Sequence, residues 1–145
     1  MKFYIASRLE NWEKVKYVAN ALKDAGHKQT YDWTTHGSVQ GESEERLTEV
    51  AENEKEGVAT ADIVVVVLPG GRGTHVELGI AIGMNKPVLI CAESEEFLLL
   101  DDRTCSFYWL PNFTLVIGTT DYWLTKILKN GMDMSYHARR NRRDA

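Results

Sequence analysis

The chain has 145 residues and a mass of 16.5 kDa, the size of one compact domain, and its 43% hydrophobic and 26% charged residues exclude a disordered polymer. A net charge of −4 and a pI of about 5.6 argue against a broad nucleic-acid face. No apolar run nears the roughly 20 residues of a membrane span, charge interrupts Met1–Arg8 too early for a signal peptide, and two cysteines without ligand spacing suit reduced thiols in the cytoplasm.

Residues 3–6 are a short apolar run, long enough for a buried strand. A helix over about 11–25 follows, with Trp12, Val15, Val18, Ala19 and Leu22 at helical spacing and Gly26 as its stop. Residues 28–33 read as a second strand. A polar stretch through Gly37 and Gly41 leads into a helix over about 42–60, whose acidic second half belongs in solvent. Residues 62–68 are the clearest strand, a continuous β-branched run of the kind covered on both faces of a parallel sheet. Pro69-Gly70-Gly71-Arg72-Gly73 is a tight loop, and 74–83 is a helix. Residues 87–91 and 114–117 are further strands, and 121–129 is a closing amphipathic helix.

Alternating strands and helices imply an α/β three-layer sandwich, flavodoxin-like or Rossmann-like, around a parallel sheet of about five strands. The domain is expected over 1–130, with a basic C-terminal tail at 131–145. Four arginines, Arg139, Arg140, Arg142 and Arg143, give the last seven residues a net +3, leaving −7 on the rest of a chain whose total is −4. Such a tail is either a solvated basic end or a source of positive charge for a neighbouring subunit's phosphate site.

Parallel sheets bind ligands outside the carboxyl ends of their strands, which directs attention to the loops after Ala6, Trp33, Leu68 and Cys91. The glycines of the loop after Leu68 let a ligand approach the backbone, and the helix start behind them suits an anion such as phosphate. The segment is not a phosphate-loop NTPase motif, since no Gly-Lys-Ser/Thr follows, and not a dinucleotide fingerprint, because Val76 occupies the place of the third glycine. Glu77 has two readings. It completes a capping box with Thr74 as N-cap, or it is a carboxylate in the crevice, held ionised by the helix dipole and fit to act as a nucleophile. His75 reads as a surface or capping residue. Asp62 opens its strand at the edge away from the ligand and reads as a turn residue. Glu54 sits on an acidic helix face, Tyr4 reads as a core aromatic, and Ser7 and Arg8 follow the first strand. Trp33 and Phe3 are candidates to stack on a base. The four histidines show no metal-ligand spacing, so no metal or other cofactor is expected.

Three segments together resemble the nucleoside 2-deoxyribosyltransferase family: Phe3-Tyr4-Ile5-Ala6-Ser7, Ala61-Asp62-Ile63-Val64-Val65-Val66, and Gly73-Thr74-His75-Val76-Glu77-Leu78-Gly79-Ile80-Ala81. The resemblance runs over about residues 2–128. It implies either transfer of deoxyribose between bases or hydrolysis of 2′-deoxynucleoside 5′-phosphates or CMP. It also implies that Glu77 attacks the anomeric carbon, that Tyr4 holds the nucleophile, and that Glu54 acts near the leaving base, where the family usually has aspartate. Asn112 takes the place of a polar residue that reaches a neighbouring subunit's site, so a homo-oligomer, at least a dimer with shared sites, is implied. Six residues before the nucleophile the transferases commonly carry aspartate and the nucleotide hydrolases serine. Here Gly71 stands, with Arg72 beside it, and neither pattern is met.

A glycosidic bond to a base breaks through an oxocarbenium-like state, which calls for a carboxylate nucleophile and an acid at the leaving group. Ser7, Arg8, Gly71, Arg72, Gly73 and Thr74 are candidates to hold a 5′-phosphate, and the two arginines favour nucleotides over plain nucleosides. The expected partner is therefore a small-molecule nucleoside or nucleotide, with neither nucleic acid nor membrane. A non-catalytic nucleotide-binding module and a flavodoxin-like redox or signalling domain are the rival readings of the same crevice.

Overall fold

A computed structural model describes the backbone of residues 1–143 and the side chains of residues 1–131. Five strands form one all-parallel sheet in the order β2-β1-β3-β4-β5. They are β1 (Lys2–Ala6), β2 (Lys28–Gln29), β3 (Ile63–Val67), β4 (Val88–Ala92) and β5 (Thr114–Ile117). Four helices complete the domain: α1 (Trp12–Asp24), α2 (Glu44–Thr60), α3 (Arg72–Gly83) and α4 (Thr120–Arg143). Helix α1 packs beside α4 and α2 beside α3, which gives the three layers expected of alternating strands and helices.

All five residues of β3 and all five of β4 are buried, as their unalternating apolar sequences require when helices cover both faces of a sheet. Trp123 of α4 is fully buried and donates its Nε1–H to the carbonyl of Ala92, fastening the last helix to β4. Gly26 stops α1 as the sequence indicates. It adopts φ +91°, and the amides of Gly26 and His27 return to the carbonyls of Lys23 and Leu22. Helix α2 starts on Ser43, whose Oγ accepts from the amide of Arg46. At its far end, Lys86 donates to the carbonyls of Ala59 and Ala61. Asp62 is the turn residue it reads as, with Oδ2 accepting from the amide of Lys2 at 2.7 Å.

Two boundaries differ from the sequence reading by more than two residues. The second strand pairs with β1 only through Lys28 and Gln29, not through residue 33. Asp32 turns its side chain onto the amide of Thr34, and this local bond lifts the chain out of the sheet into a 3-10 turn at Trp33–Thr35. Helix α4 runs beyond residue 129, because the sequence that follows Gly131 offers good helix formers and no proline to end it. The arginine side chains of the basic tail lie outside the described residues, and no helix is long and apolar enough to cross a membrane among the described residues.

The connectivity fixes the crevice. From β1 the chain goes outward to β2, then returns to the opposite side of β1 to form β3. The loops after β1 and β3 therefore diverge at a switch point, where parallel sheets hold their ligands.

Candidate active site

A cleft of about 450 Å³ opens at this point. The β1 loop lines it with Ser7 and Arg8, the α3 start with Gly71, Arg72 and Gly73, and α2 with Glu54. Thr74 and Glu77 also line it. They are three positions apart on α3 and so share one helix face, which is buried.

Glu77 departs from the capping reading. Helix α3 is capped by Gly71, not Thr74. Thr74 stands in the third helical position, where its Oγ1 accepts the amide proton of Gly71 at 2.9 Å. Glu77 takes no part in the cap. Its Oε1 accepts a 2.8 Å hydrogen bond from the hydroxyl of Tyr4. Its Oε2 is buried with no partner, and the residue is only 7% exposed. The local electrostatics also depart from expectation. The helix dipole does not keep this carboxyl ionised, because it weakens beyond the first turn. Burial, reinforced by the charge of Glu54, pushes the Glu77 carboxyl up to about 8, and the Tyr4 bond offsets only part of this.

Glu54 is half-buried on the inner side of α2, not on a solvated face. Burial raises its carboxyl above the ordinary range and nearby His36 partly counters this. The charge of Glu54 therefore opposes the ionisation of Glu77 across the cleft. Tyr4 is fully buried, and burial together with the charge of Glu77 keeps its phenol protonated, so it serves as a donor.

The remaining candidates divide. Arg8 and Arg72 are exposed at the cleft, Arg8 in a loose ion pair with Glu10 at 3.7 Å. Ser7 lines the cleft, but its hydroxyl donates to the carbonyl of Val67 and accepts from Asn11, which makes it a brace between β1 and β3. Trp33 lines the cleft with a buried ring whose Nε1–H is bound to the carbonyl of Ile5 at 2.8 Å. Phe3 is wholly buried at the amino end of β1 and so has no place in base stacking. Asn112 is exposed on the turn before β5 and does not line the cleft of its own chain. His75 is more than a surface residue. Its Nδ1 meets the carbonyl of Gly71 at 2.7 Å, and its Nε2 meets the hydroxyl of Tyr108 at 2.6 Å.

Sequence reasoning missed Asn11, His36 and the apolar wall of Val39, Leu47 and Val50. Asn11 is 6% exposed and donates to Ser7 Oγ and to the carbonyl of Pro69, so it ties the two divergent loops together. A signal for it exists: Asn11 shares the helical stripe of Val15, Val18 and Leu22, and a polar residue on a buried stripe needs partners. His36 and Val39 lie in the polar stretch before α2, where no periodicity marks them.

Comparison with known proteins identifies the family and the fold. The family model described as Nucleoside 2-deoxyribosyltransferase matches residues 3–135. Among solved structures, the chain is similar to the CMP N-glycosidase BcmB of Clostridium botulinum, with a TM-score of 0.61 and 15% identity over 88% of this chain and 98% of that one. At that identity the likeness is one of fold. It is also similar to the 2-deoxyribosyltransferase of Bacillus psychrosaccharolyticus, with a TM-score of 0.51 and 29% identity over 70% of this chain and 77% of that one. No curated protein sequence matches at a significant level.

Proposed function

The chain belongs to the nucleoside 2-deoxyribosyltransferase family, and from that premise we propose that it breaks the N-glycosidic bond of a (deoxy)nucleoside or its 5′-monophosphate through a covalent glycosyl-Glu77 intermediate. The sugar then passes to another base or to water. The observation that carries this reading is Glu77 itself, a carboxyl whose Oε1 is fixed by Tyr4 and whose Oε2 is buried, unpartnered and part of the cleft lining. A buried polar atom without a partner calls for an explanation, and a reacting ligand supplies one.

The chemistry follows from one proton held between two carboxyl groups. Glu77 must be ionised to attack the anomeric carbon, and Glu54 must carry the proton. As the Glu77 oxygen bonds to that carbon, the bond to the base breaks and its electron pair stays on the base nitrogen, which takes the proton of Glu54. Developing positive charge on the sugar favours the ionised form of Glu77 that the empty cleft disfavours. In the second step a base nitrogen or a water oxygen attacks the same carbon, the bond to Glu77 breaks, and Glu54 takes up the proton released. Two displacements retain the configuration. Tyr4 supports the nucleophile as a donor, holding its orientation throughout.

Arg8, Arg72 and the backbone of Gly71 and Gly73 form the cationic, amide-rich end of the cleft, which favours a 5′-monophosphate over an uncharged nucleoside. Glu77→Ala is expected to abolish base release from deoxynucleosides and deoxynucleotides while the far-ultraviolet circular dichroism stays unchanged. Undiminished turnover would overturn the reading. Assays of a deoxynucleoside and of dCMP or dGMP, each with and without a free acceptor base, separate transfer from hydrolysis. Calorimetric binding without any base release would instead support a non-catalytic nucleotide-binding module.

A further inference from the structure

We propose that Tyr108 and His75 form a positioning pair that fixes the backbone of loop 70–73 and thereby sets the affinity of the cleft for the phosphate end of its substrate. The inference rests on the nucleotide reading of the cleft and adds residues that do not touch the substrate.

The hydrogen bonds form a directed chain. The carbonyl of Gly71 can only accept, so the 2.7 Å contact makes His75 Nδ1 the protonated ring nitrogen. In the neutral ring Nε2 is then an acceptor, and the hydroxyl of Tyr108 donates to it at 2.6 Å. Burial raises the Tyr108 hydroxyl to about 12, in keeping with a permanent donor. The two rings are also stacked, with centroids 5.8 Å apart and planes 26° from parallel. Gly71 is thus held at both ends of its residue, the amide by Thr74 Oγ1 and the carbonyl by the His75 ring.

The fit is close on the neighbouring glycine as well. A β-carbon on Gly70 would approach Thr74 Cγ2 to 2.8 Å and His75 Cε1 to 3.2 Å. The loop therefore packs closely against the Thr74 side chain and the His75 ring, with no room for a side chain at position 70. Tyr108 lies behind the loop, 3% exposed on the 3-10 turn Ser106–Trp109, and lines a separate cavity of about 330 Å³ with His75, Leu68, Pro69 and Gly70. The anchor comes from the β4–β5 connection, an element with no residue in the catalytic cleft.

Tyr108→Phe removes one hydroxyl and keeps the ring. In long-range proton–nitrogen spectra the wild-type His75 ring is expected as the Nδ1–H tautomer alone, and Tyr108→Phe is expected to add the Nε2–H form. Calorimetry with dCMP and with deoxycytidine, comparing Glu77→Ala alone with Glu77→Ala carrying Tyr108→Phe so that neither ligand is consumed, reads the consequence without turnover. The dissociation constant of dCMP should rise about three- to tenfold, the effect of one hydrogen bond, while that of deoxycytidine stays within about twofold. An Nε2–H tautomer in the wild type, unchanged dCMP affinity in the variant, or equal loss for both ligands would overturn the pair as a phosphate-positioning device. A wild-type protein with the expected tautomer that binds neither ligand overturns the nucleotide reading and leaves the hydrogen-bond chain standing.

Discussion

Tyr4 and Glu77 stand 73 positions apart in the chain and meet in a 2.8 Å hydrogen bond between phenol and carboxylate, with both side chains buried. The tyrosine comes from an inner strand and the glutamate from the helix that follows the neighbouring strand, so correct pairing of β1 with β3 is what brings them together. In Tyr4→Phe Oε1 of Glu77 loses its partner, so neither carboxyl oxygen is left with one, and the ionised form loses most. Turnover at neutral pH is expected to fall by about tenfold or more, the range for a hydrogen bond to a charged group. The fold should hold, since only a hydroxyl is removed. Steady-state kinetics beside a thermal melt separates the two effects.

The pH profile carries the signature of the carboxyl pair. With one proton shared between Glu54 and Glu77, kcat/KM should be bell-shaped, and its falling limb should lie near 8, where the last proton leaves. Removing the Tyr4 hydroxyl withdraws support for the anion, so this limb should move upward in Tyr4→Phe. Glu54→Gln acts differently. It removes the acid and the repulsion together, leaving a slower enzyme with a single rising limb below 8. A bell that survives Glu54→Gln would show that Glu54 does not hold the second proton.

Stability should respond to the same group with a definite sign. Glu77 titrates near 8 in the folded chain and near its ordinary value of 4.5 when unfolded. The folded state therefore binds the proton more tightly. Its contribution is fully present below the unfolded value and is lost as pH rises through about 8. The total loss is on the order of a few kcal/mol. Glu77→Gln cannot ionise, so the melting temperature of the variant relative to wild type should climb between pH 5 and pH 9. A difference that stays flat with pH would show that Glu77 titrates normally.

Much of the architecture was legible because it depends on local pattern. The unbroken apolar run of β3, the stripe of α1 and the glycines before α3 each declare an element and a place in it. The family resemblance then marked Glu77, Tyr4 and Glu54, which line or support one cleft. What escaped depends on residues far apart in the chain. The segment around Glu77 points locally to a helix cap, and the pairing with Tyr4 is implied by the family resemblance and by nothing in the local sequence. The anchoring of His75 by Tyr108 spans 33 positions and has no sequence periodicity behind it. Residues 28–33 read as a strand, whereas the Asp32 side chain accepts from the amide of Thr34 and turns the chain out of the sheet.

Gly57 offers the sharpest test of how α2 supports the site. Alanine in place of a helix glycine normally stabilises by roughly 0.5–1 kcal/mol. At Gly57 a β-carbon would stand 2.9 Å from Tyr31 Cβ and 3.0 Å from Cδ2 and Cε2 of Tyr4. The Tyr31 atom is close to the backbone and yields little, so the Tyr4 ring must give way. Overpacking of this kind typically costs about 1–3 kcal/mol, which outweighs the helix gain. Gly57→Ala is therefore expected to lower the melting temperature. It should also reduce turnover and shift the falling limb of the pH profile upward, in the direction of Tyr4→Phe, because a displaced phenol no longer supports the Glu77 carboxylate. If Gly57→Ala raises the melting temperature and leaves the pH profile in place, the ring of Tyr4 has room to spare, and its hold on Glu77 does not depend on the bare backbone of α2.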